Sequence, residues 1–328
     1  MAHDAPAAPD PGDATTYGTA LGAPAGPLRP FVLGYRGYRL TLHRPRRRLE
    51  VPTDVVTLAL TFEGSMRLTD AVDPGPGHSF ASVAAGLRRT ATIAEHSGVL
   101  HGLAVSLTPQ GAFRVFGPMA GDLGGQWAEA GDVLGPRLRR LSTRLADAPT
   151  WPARFALLDA YFAARLADGP RWEPSVQWAW HQLRRSHGLV PVHALVAGTG
   201  WSRRRLELRF RQHLGVAPKQ AATILRLQRT LAVLARHSAA ERPLGNRPDG
   251  GNRLDGGNRL DGGNRLDGAR IATLCGYYDQ SHLDRAFRGM VGCSPREFLA
   301  SRTSAATLPE PADRVAGRVT SAVLNPGG

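Results

Sequence analysis

The sequence predicts an α+β N-terminal domain, strand-rich with trailing helices, followed by an all-α domain built from two helix-turn-helix units. Three observations predict it. From Phe31 to about Gly121 the chain reads as short alternating or apolar runs bracketed by Gly, Pro and Asp. Apolar residues recur at helical spacing from Gly131 to Leu166, and again from Glu173 to Ala300. Within the second stretch one pattern occurs twice, as Leu206-x3-Phe210-x4-Gly215-x2-Pro218 and as Leu283-x3-Phe287-x4-Gly292-x2-Pro295.

Residues 1–30 are rich in Ala, Pro and Gly and poor in core formers, which predicts a disordered tail. VVTLALTF (Val55–Phe62) and GLAVSLTP (Gly102–Pro109) read as strands. Val133, Leu134, Leu138, Leu141 and Leu145 form one helical stripe, and Phe155, Leu158, Tyr161, Phe162 and Leu166 a second. Gly169-Pro170 ends that helix, so residues 31–168 are expected to form the first domain. Residues 173–302 form the second. There Pro174 opens a helix carrying Val176, Trp180 and Leu183, and a short helix covers Pro191–Ala197. Ser202 is placed to cap the helix that runs to Gly215. A long helix from Pro218 carries Ile224, Leu227, Leu231 and Leu234 on one face. Residues 245–268 read GNRPDG once and GNRLDG three times, turn-forming units without a core, and so predict a loop insertion. Their period of six, with Arg in each unit, sets them apart from calcium-binding repeats. Residues 303–328 are expected to be a second disordered tail.

Composition narrows the function. A chain of 328 residues has room for two ordinary domains. No apolar run approaches the roughly 18 residues of a spanning helix, and the N-terminus lacks the layout of a secretion signal. A cytoplasmic protein without a membrane partner is expected. Cys275 and Cys293 are too few for a disulfide scaffold or a zinc module. The 41 Lys+Arg outnumber the 27 Asp+Glu for a net charge of +14, and Lys219 is the single lysine. Residues 173–302 hold 21 basic against 10 acidic residues, so most of the excess lies in the second domain. That is the footprint of an anionic partner.

The duplicated pattern carries the chemistry. Leu206 and Phe210, like Leu283 and Phe287, stand i,i+4 and share the buried face of a helix. The opposite face of the first helix shows Arg204, Glu207, Leu208 and Arg211, with Arg203 and Arg205 alongside. The second shows Gln280, Ser281, His282, Asp284, Arg285 and Arg288. Arg, Gln, Ser and acidic side chains are the types that reach base edges and phosphates in a major groove. One polar helix face is ordinarily just a solvated face; two on duplicated units in a strongly basic domain favour double-stranded DNA.

GYYDQSHLDRAFRGMVGCSPREFL (Gly276–Leu299) resembles the signature of the AraC/XylS family of transcription regulators, and SRRRLELRFRQHLGVAP is similar to that family's more variable first unit. The likeness covers roughly residues 173–302. It implies two helix-turn-helix subdomains joined by the long helix, each placing one helix in a major groove. It implies base-facing roles for Arg204, Glu207 and Leu208, and for Gln280, Ser281, Asp284 and Arg285. Val196 departs from the pattern, standing where the family has a small residue, as Ala272 does in the second copy. The repeat at 245–268 is a second departure. The layout of residues 31–168 resembles the sensor-like domains of actinobacterial-type members. It implies a small-molecule effector or a homodimer contact there, with RNA polymerase as a further partner of a regulator.

An enzyme is not expected. The chain shows no phosphate loop, dinucleotide-binding glycine pattern or nucleophile elbow. His43, His78, His96 and His101 are scattered without ligand spacing, so neither metal nor cofactor is expected. The alternative is a DNA-repair or metabolic enzyme fused to the same module. Alkyl transfer of the repair type needs a cysteine outside the helix pair, and residues 1–274 contain none.

Overall fold

The computed structural model describes residues 16–42, 45–240, 268–303, 314–315 and 318–324. Most of the hexapeptide repeat, the expected tails in part, and His43 lie outside the described residues. Strand β1 (Thr16–Gly22) precedes a 3-10 turn at Gly26–Leu28. Then come β2 (Val32–Thr41), β3 (Arg46–Glu50), β4 (Val56–Glu63), β5 (Met66–Asp70), β6 (His78–Phe80), β7 (Val83–Ala85), β8 (Thr92–His96) and β9 (Val99–Leu107). Helices α1 (Pro109–Phe116) and α2 (Met119–Asp122), strand β10 (Trp127–Glu129) and helices α3 (Ala130–Leu134), α4 (Pro136–Asp147) and α5 (Trp151–Asp168) follow. The helical region comprises α6 (Pro174–Arg185), α7 (Val192–Thr199), α8 (Arg203–Leu214), α9 (Pro218–Ala240), α10 (Gly268–Leu274), α11 (Gln280–Val291) and α12 (Pro295–Thr303). Short strands β11 (Arg314–Val315), β12 (Arg318–Val319) and β13 (Ser321–Leu324) end the described chain. The architecture is the expected one, a strand-rich α+β region followed by helices.

Two antiparallel sheets, ordered β1-β2-β9-β4-β7-β10 and β13-β3-β8-β5-β6, face each other. Strand periodicity sorts the side chains. On β4 and β9, Leu58, Leu60, Leu103 and Val105 are fully buried in the core shared with the helices. Thr57, Ala59, Leu100 and Ala104 turn the other way and line a cavity of about 430 Å³ between the sheets. Helix α5 covers the outer face of β1 and β2, where Gly22 and Gly37 leave room for Phe155 and Trp151. The Tyr35 hydroxyl donates to Asp159 on α5 at 2.8 Å and locks that contact. Removal of the Tyr35 proton is made harder first by burial and then by the Asp159 carboxylate.

Both expected tails need correction. Thr16–Gly22 pairs along its whole length with β2, from Thr16 opposite Thr41 to Gly22 opposite Tyr35. An edge strand is held by backbone hydrogen bonds, so TYGTALG suffices although its composition promises no core. At the other end β13 pairs with β3, with Ser321 opposite Glu50. The first domain therefore needs chain from beyond residue 168. A further correction concerns Pro109–Phe116, read as part of the strand region but helical here. Thr108 caps it by accepting from the Gly111 N–H at 3.0 Å, and Pro109 occupies the first turn.

The two regions are not separate bodies. One apolar cluster runs without a break from Leu28 and Leu58 through Leu206 and Phe210 to Phe287 and Phe298. Helix α9 buries Ile224, Leu227, Leu231 and Leu234 in it, the stripe expected from the sequence. The Gln228 side chain on α9 donates to the carbonyls of Pro52 at 2.7 Å and Val319 at 3.0 Å. Asp54, only 3% exposed, accepts from Arg318 and lies 3.5 Å from Arg184 of α6.

Candidate nucleic-acid interface

The duplicated spacing folds into two superposable local designs. In the first, α7 ends at Gly200 in the left-handed region, with φ of 68°. The Ser202 hydroxyl caps α8 by accepting from the Arg205 N–H at 3.2 Å, and Gly215, with φ of 75°, ends it. In the second, Gly276 makes the turn with φ of 76°. The Asp279 carboxylate caps α11 by accepting from the His282 N–H at 2.7 Å, and Gly292, with φ of 88°, ends it. Glycine takes this left-handed backbone without the Cβ penalty of other residues. Counted from each cap, Arg203 to Gly215 align one to one with Gln280 to Gly292. Leu206, Phe210, Leu283 and Phe287 are all buried, Phe210 and Phe287 completely.

The expected base-facing residues lie at the surface. Arg203, Arg204, Arg205, Leu208, Arg211, Gln280, Ser281, His282, Arg285 and Arg288 are exposed, and Glu207 and Asp284 are half-exposed. Leu208 is 53% exposed at the centre of α8. These residues are not equally available. Arg203 and Glu207 form an i,i+4 pair at 3.0 Å. Arg205 turns back over the Trp201 ring at 4.7 Å and toward Glu173 at 3.9 Å. The His282 ring accepts from the Tyr278 N–H at 3.3 Å and stands edge-on to Tyr277. Gln280 folds its amide group against Gly268 at the start of α10, and the charge of Arg288 acts on Glu297 of α12. Arg204, Leu208 and Arg211 on α8, and Ser281 and Arg285 on α11, project outward without such contacts among the described residues.

Electrostatics at the start of α8 are unusual. Its first turn holds Arg203, Arg204 and Arg205 and no acidic residue. The helix N-terminus carries partial positive charge, so each cation there costs on the order of 0.3–1 kcal/mol at low salt. An approaching anion would offset that cost. Behind this face Glu173 gathers Arg209 at 3.3 Å, Arg205 and the buried His213. Burial pushes the His213 pKa down, Glu173 pulling the other way.

Two further basic residues stand at equivalent positions beyond the two exposed helices. Lys219 and Arg296 each follow the motif proline, each is exposed, and each opens the helix after α8 or α11. The signal was available, because the duplicated pattern extends one position into a basic residue in both copies. Of the tryptophans in and beside the helical region, Trp172 and Trp180 are buried, Trp201 is half-buried and Trp178 is 39% exposed. Cys275 is buried, and Cys293 is half-buried. Among the described residues no helix is long and apolar enough to cross a membrane.

The ends of both exposed helices sit on the sheet region. Gly215 meets Gly124 backbone to backbone, and the His213 ring packs on Phe113 of α1, with centroids 4.1 Å apart. Gly292 is so near the Ala71 carbonyl that a Cβ there would stand 2.8 Å from its oxygen. The Ala91 N–H donates to the Met290 carbonyl at 2.6 Å.

The cavity between the sheets is lined by apolar residues and by Arg36, Arg46, Arg48, Arg88, Glu50 and His96. His96, 7% exposed, has its Nδ1 engaged by the Gly98 N–H, while its Nε2 has no partner among the described residues. Burial, and then the charges of Arg46 and Arg48, push the His96 pKa down to about 4.

No family model matches the chain, and no curated protein matches it. Among solved structures it is similar to ToxT from Vibrio cholerae O395, at 10% identity and a TM-score of 0.41, over 88% of this chain and 99% of that one. It is similar to ToxT from Vibrio cholerae bound to an unsaturated fatty acid, at 11% identity and a TM-score of 0.39, over 88% and 95%. It is similar to the AraC-like transcriptional activator CuxR, at 15% identity and a TM-score of 0.21, over 66% and 87%. Likeness at this level carries no functional argument for this chain.

Proposed function

We infer that the chain is a sequence-specific regulator of transcription that binds double-stranded DNA through α8 and α11. The observation that carries this reading is the exposure of two aligned polar faces on helices built to one design. Arg204 and Arg211 on one, and Arg285 on the other, are outward-facing cations with no ion-pair partner among the described residues, and Arg288 is exposed beside Glu297. Arg285 and Gln280 suit guanine and adenine edges, and Lys219 and Arg296 suit flanking phosphates. The run of cations at the start of α8 supports the same reading, since an anionic partner relieves its repulsion with the helix terminus.

Footprinting of the full chain on duplexes selected from a random pool tests it. Two protected major-groove segments about one helical turn apart, roughly 10 bp, are expected. A single short contact, or no preference over random duplex, overturns it.

The cavity supports an effector for this regulator. Its apolar walls, the arginine side chains along them, and the His96 Nε2, which has no partner among the described residues, suit a small apolar molecule with an anionic group.

A further inference from the structure

Arg88 holds together two segments that are far apart in sequence. Its side chain is 11% exposed and lines the cavity. One guanidinium nitrogen donates to the Gly125 carbonyl at 2.6 Å, and another to the Asp70 carboxylate at 2.9 Å. The guanidinium lies over the Trp127 ring at 3.8 Å, and Nε has no partner among the described residues.

Each partner adjoins the seat of one exposed helix. Gly125 follows Gly124, whose backbone meets Gly215 at the end of α8. Asp70 precedes Ala71, whose carbonyl faces Gly292 at the end of α11. Asp70 also accepts from the Thr90 hydroxyl, beside Ala91, and the Ala91 N–H bonds to the Met290 carbonyl at the same end of α11. The Ala71 N–H in turn donates to the Ala91 carbonyl at 2.9 Å. One cation facing the cavity thus braces both helix ends.

We propose that Arg88 couples the cavity to the relative placement of α8 and α11: a ligand whose anionic group draws Arg88 away from Gly125 and Asp70 loosens both helix seats at once. The functional meaning rests on the DNA-binding reading above, but the mechanical coupling does not. An anion is the group that competes for a guanidinium already held by a carboxylate and a carbonyl, because charge-assisted hydrogen bonds exceed neutral ones. A neutral apolar ligand would leave the brace in place.

Amide hydrogen exchange on the full chain tests the coupling without DNA. Arg88→Met keeps a long side chain against Trp127 and removes both hydrogen bonds. The Gly125 and Ala91 amides should both exchange about tenfold faster or more, with the amides of β4 and β9 unchanged. Asp70→Asn retains the Gly125 bond, so it should free Ala91 and leave Gly125 near the wild-type rate. If Arg88→Met does not fold, the asymmetry in Asp70→Asn decides. Wild-type rates at both amides in Arg88→Met, or no asymmetry in Asp70→Asn, overturn the coupling.

The second readout uses the selected duplex with one or two base pairs inserted between the footprints. Arg88→Met should tolerate the insertion better than wild type, and Arg88→Lys, able to keep one bond, should fall between. A wild-type chain that binds no duplex overturns the DNA reading, while the exchange result still decides the coupling.

Discussion

Gly124 and Gly215 touch through their backbones, leaving no space for a Cβ on Gly124, and this contact seats the end of α8 on the sheet region. Gly124→Ala must therefore push the two segments apart. Overpacking of this kind costs about 1–3 kcal/mol. Gly215→Ala adds the strain of a left-handed alanine, about 1 kcal/mol, to a similar clash. Urea titration should show both losses. An unchanged midpoint would mean that the α8 seat is not as tight as described.

Phe210 and Phe287 occupy equivalent positions in the two units and are fully buried. Truncation to Ala at either should destabilise by about 3–5 kcal/mol. Because one apolar cluster spans both regions, each variant should lower a single cooperative transition. Two separated thermal transitions in wild type would contradict that continuity.

Arg285 and Arg209 separate recognition from folding. Arg285 is exposed at the centre of α11, whereas Arg209 lies 3.3 Å from Glu173 behind the face. Arg285→Ala should leave stability near wild type, weaken binding by about 1–3 kcal/mol and relax preference at one base position. Competition against a panel of base-substituted duplexes checks this. A uniform loss with a shallower salt slope would make Arg285 a phosphate contact instead.

His96 predicts a pH dependence of known sign. Its pKa falls from 6.5 to about 4 in the folded chain, so the unfolded chain binds the proton first as pH drops. Stability is fully present above about pH 6.5, declines toward about pH 4, and its loss from this group levels off below that. His96→Gln removes this contribution and can still accept near Gly98. The difference between the Tm values of variant and wild type should therefore shift across that window; a constant difference would sink the assignment.

Arg318 predicts the role of the chain's far end. Asp54 is nearly inaccessible and depends on Arg318, with Arg184 at 3.5 Å as its second partner. Arg318→Ala leaves a buried carboxylate poorly compensated, at about 3–5 kcal/mol. Adding Asp54→Asn should recover part of that loss, because the uncompensated charge is then gone. Strict additivity in the double-mutant cycle would rule out the interaction.

The candidate interface was largely legible in the sequence. Caps, glycine turns and the i,i+4 pairs Leu206/Phe210 and Leu283/Phe287 are set by residues within one helix-turn-helix, so spacing alone reveals them. Legibility failed within the same face where side chains reach other elements. The pairing of Arg205 with Trp201 and Glu173 involves α6, and no pattern along α8 announces it. Lys219 and Arg296 stand at a duplicated position, so the sequence itself marks them.

The amino-acid order by itself determined the two helical units, their buried and exposed faces, and the basic bias of residues 173–302, because these depend on local periodicity and on charge counts. Tertiary structure alone decided that β1 and β13 complete the sheets, that a cavity opens between them, and that Arg88 stands between Gly125 and Asp70. The physical reason is range. Strand pairing is made by backbone groups that every residue carries, so Ser321 can lie opposite Glu50 without either side chain announcing it.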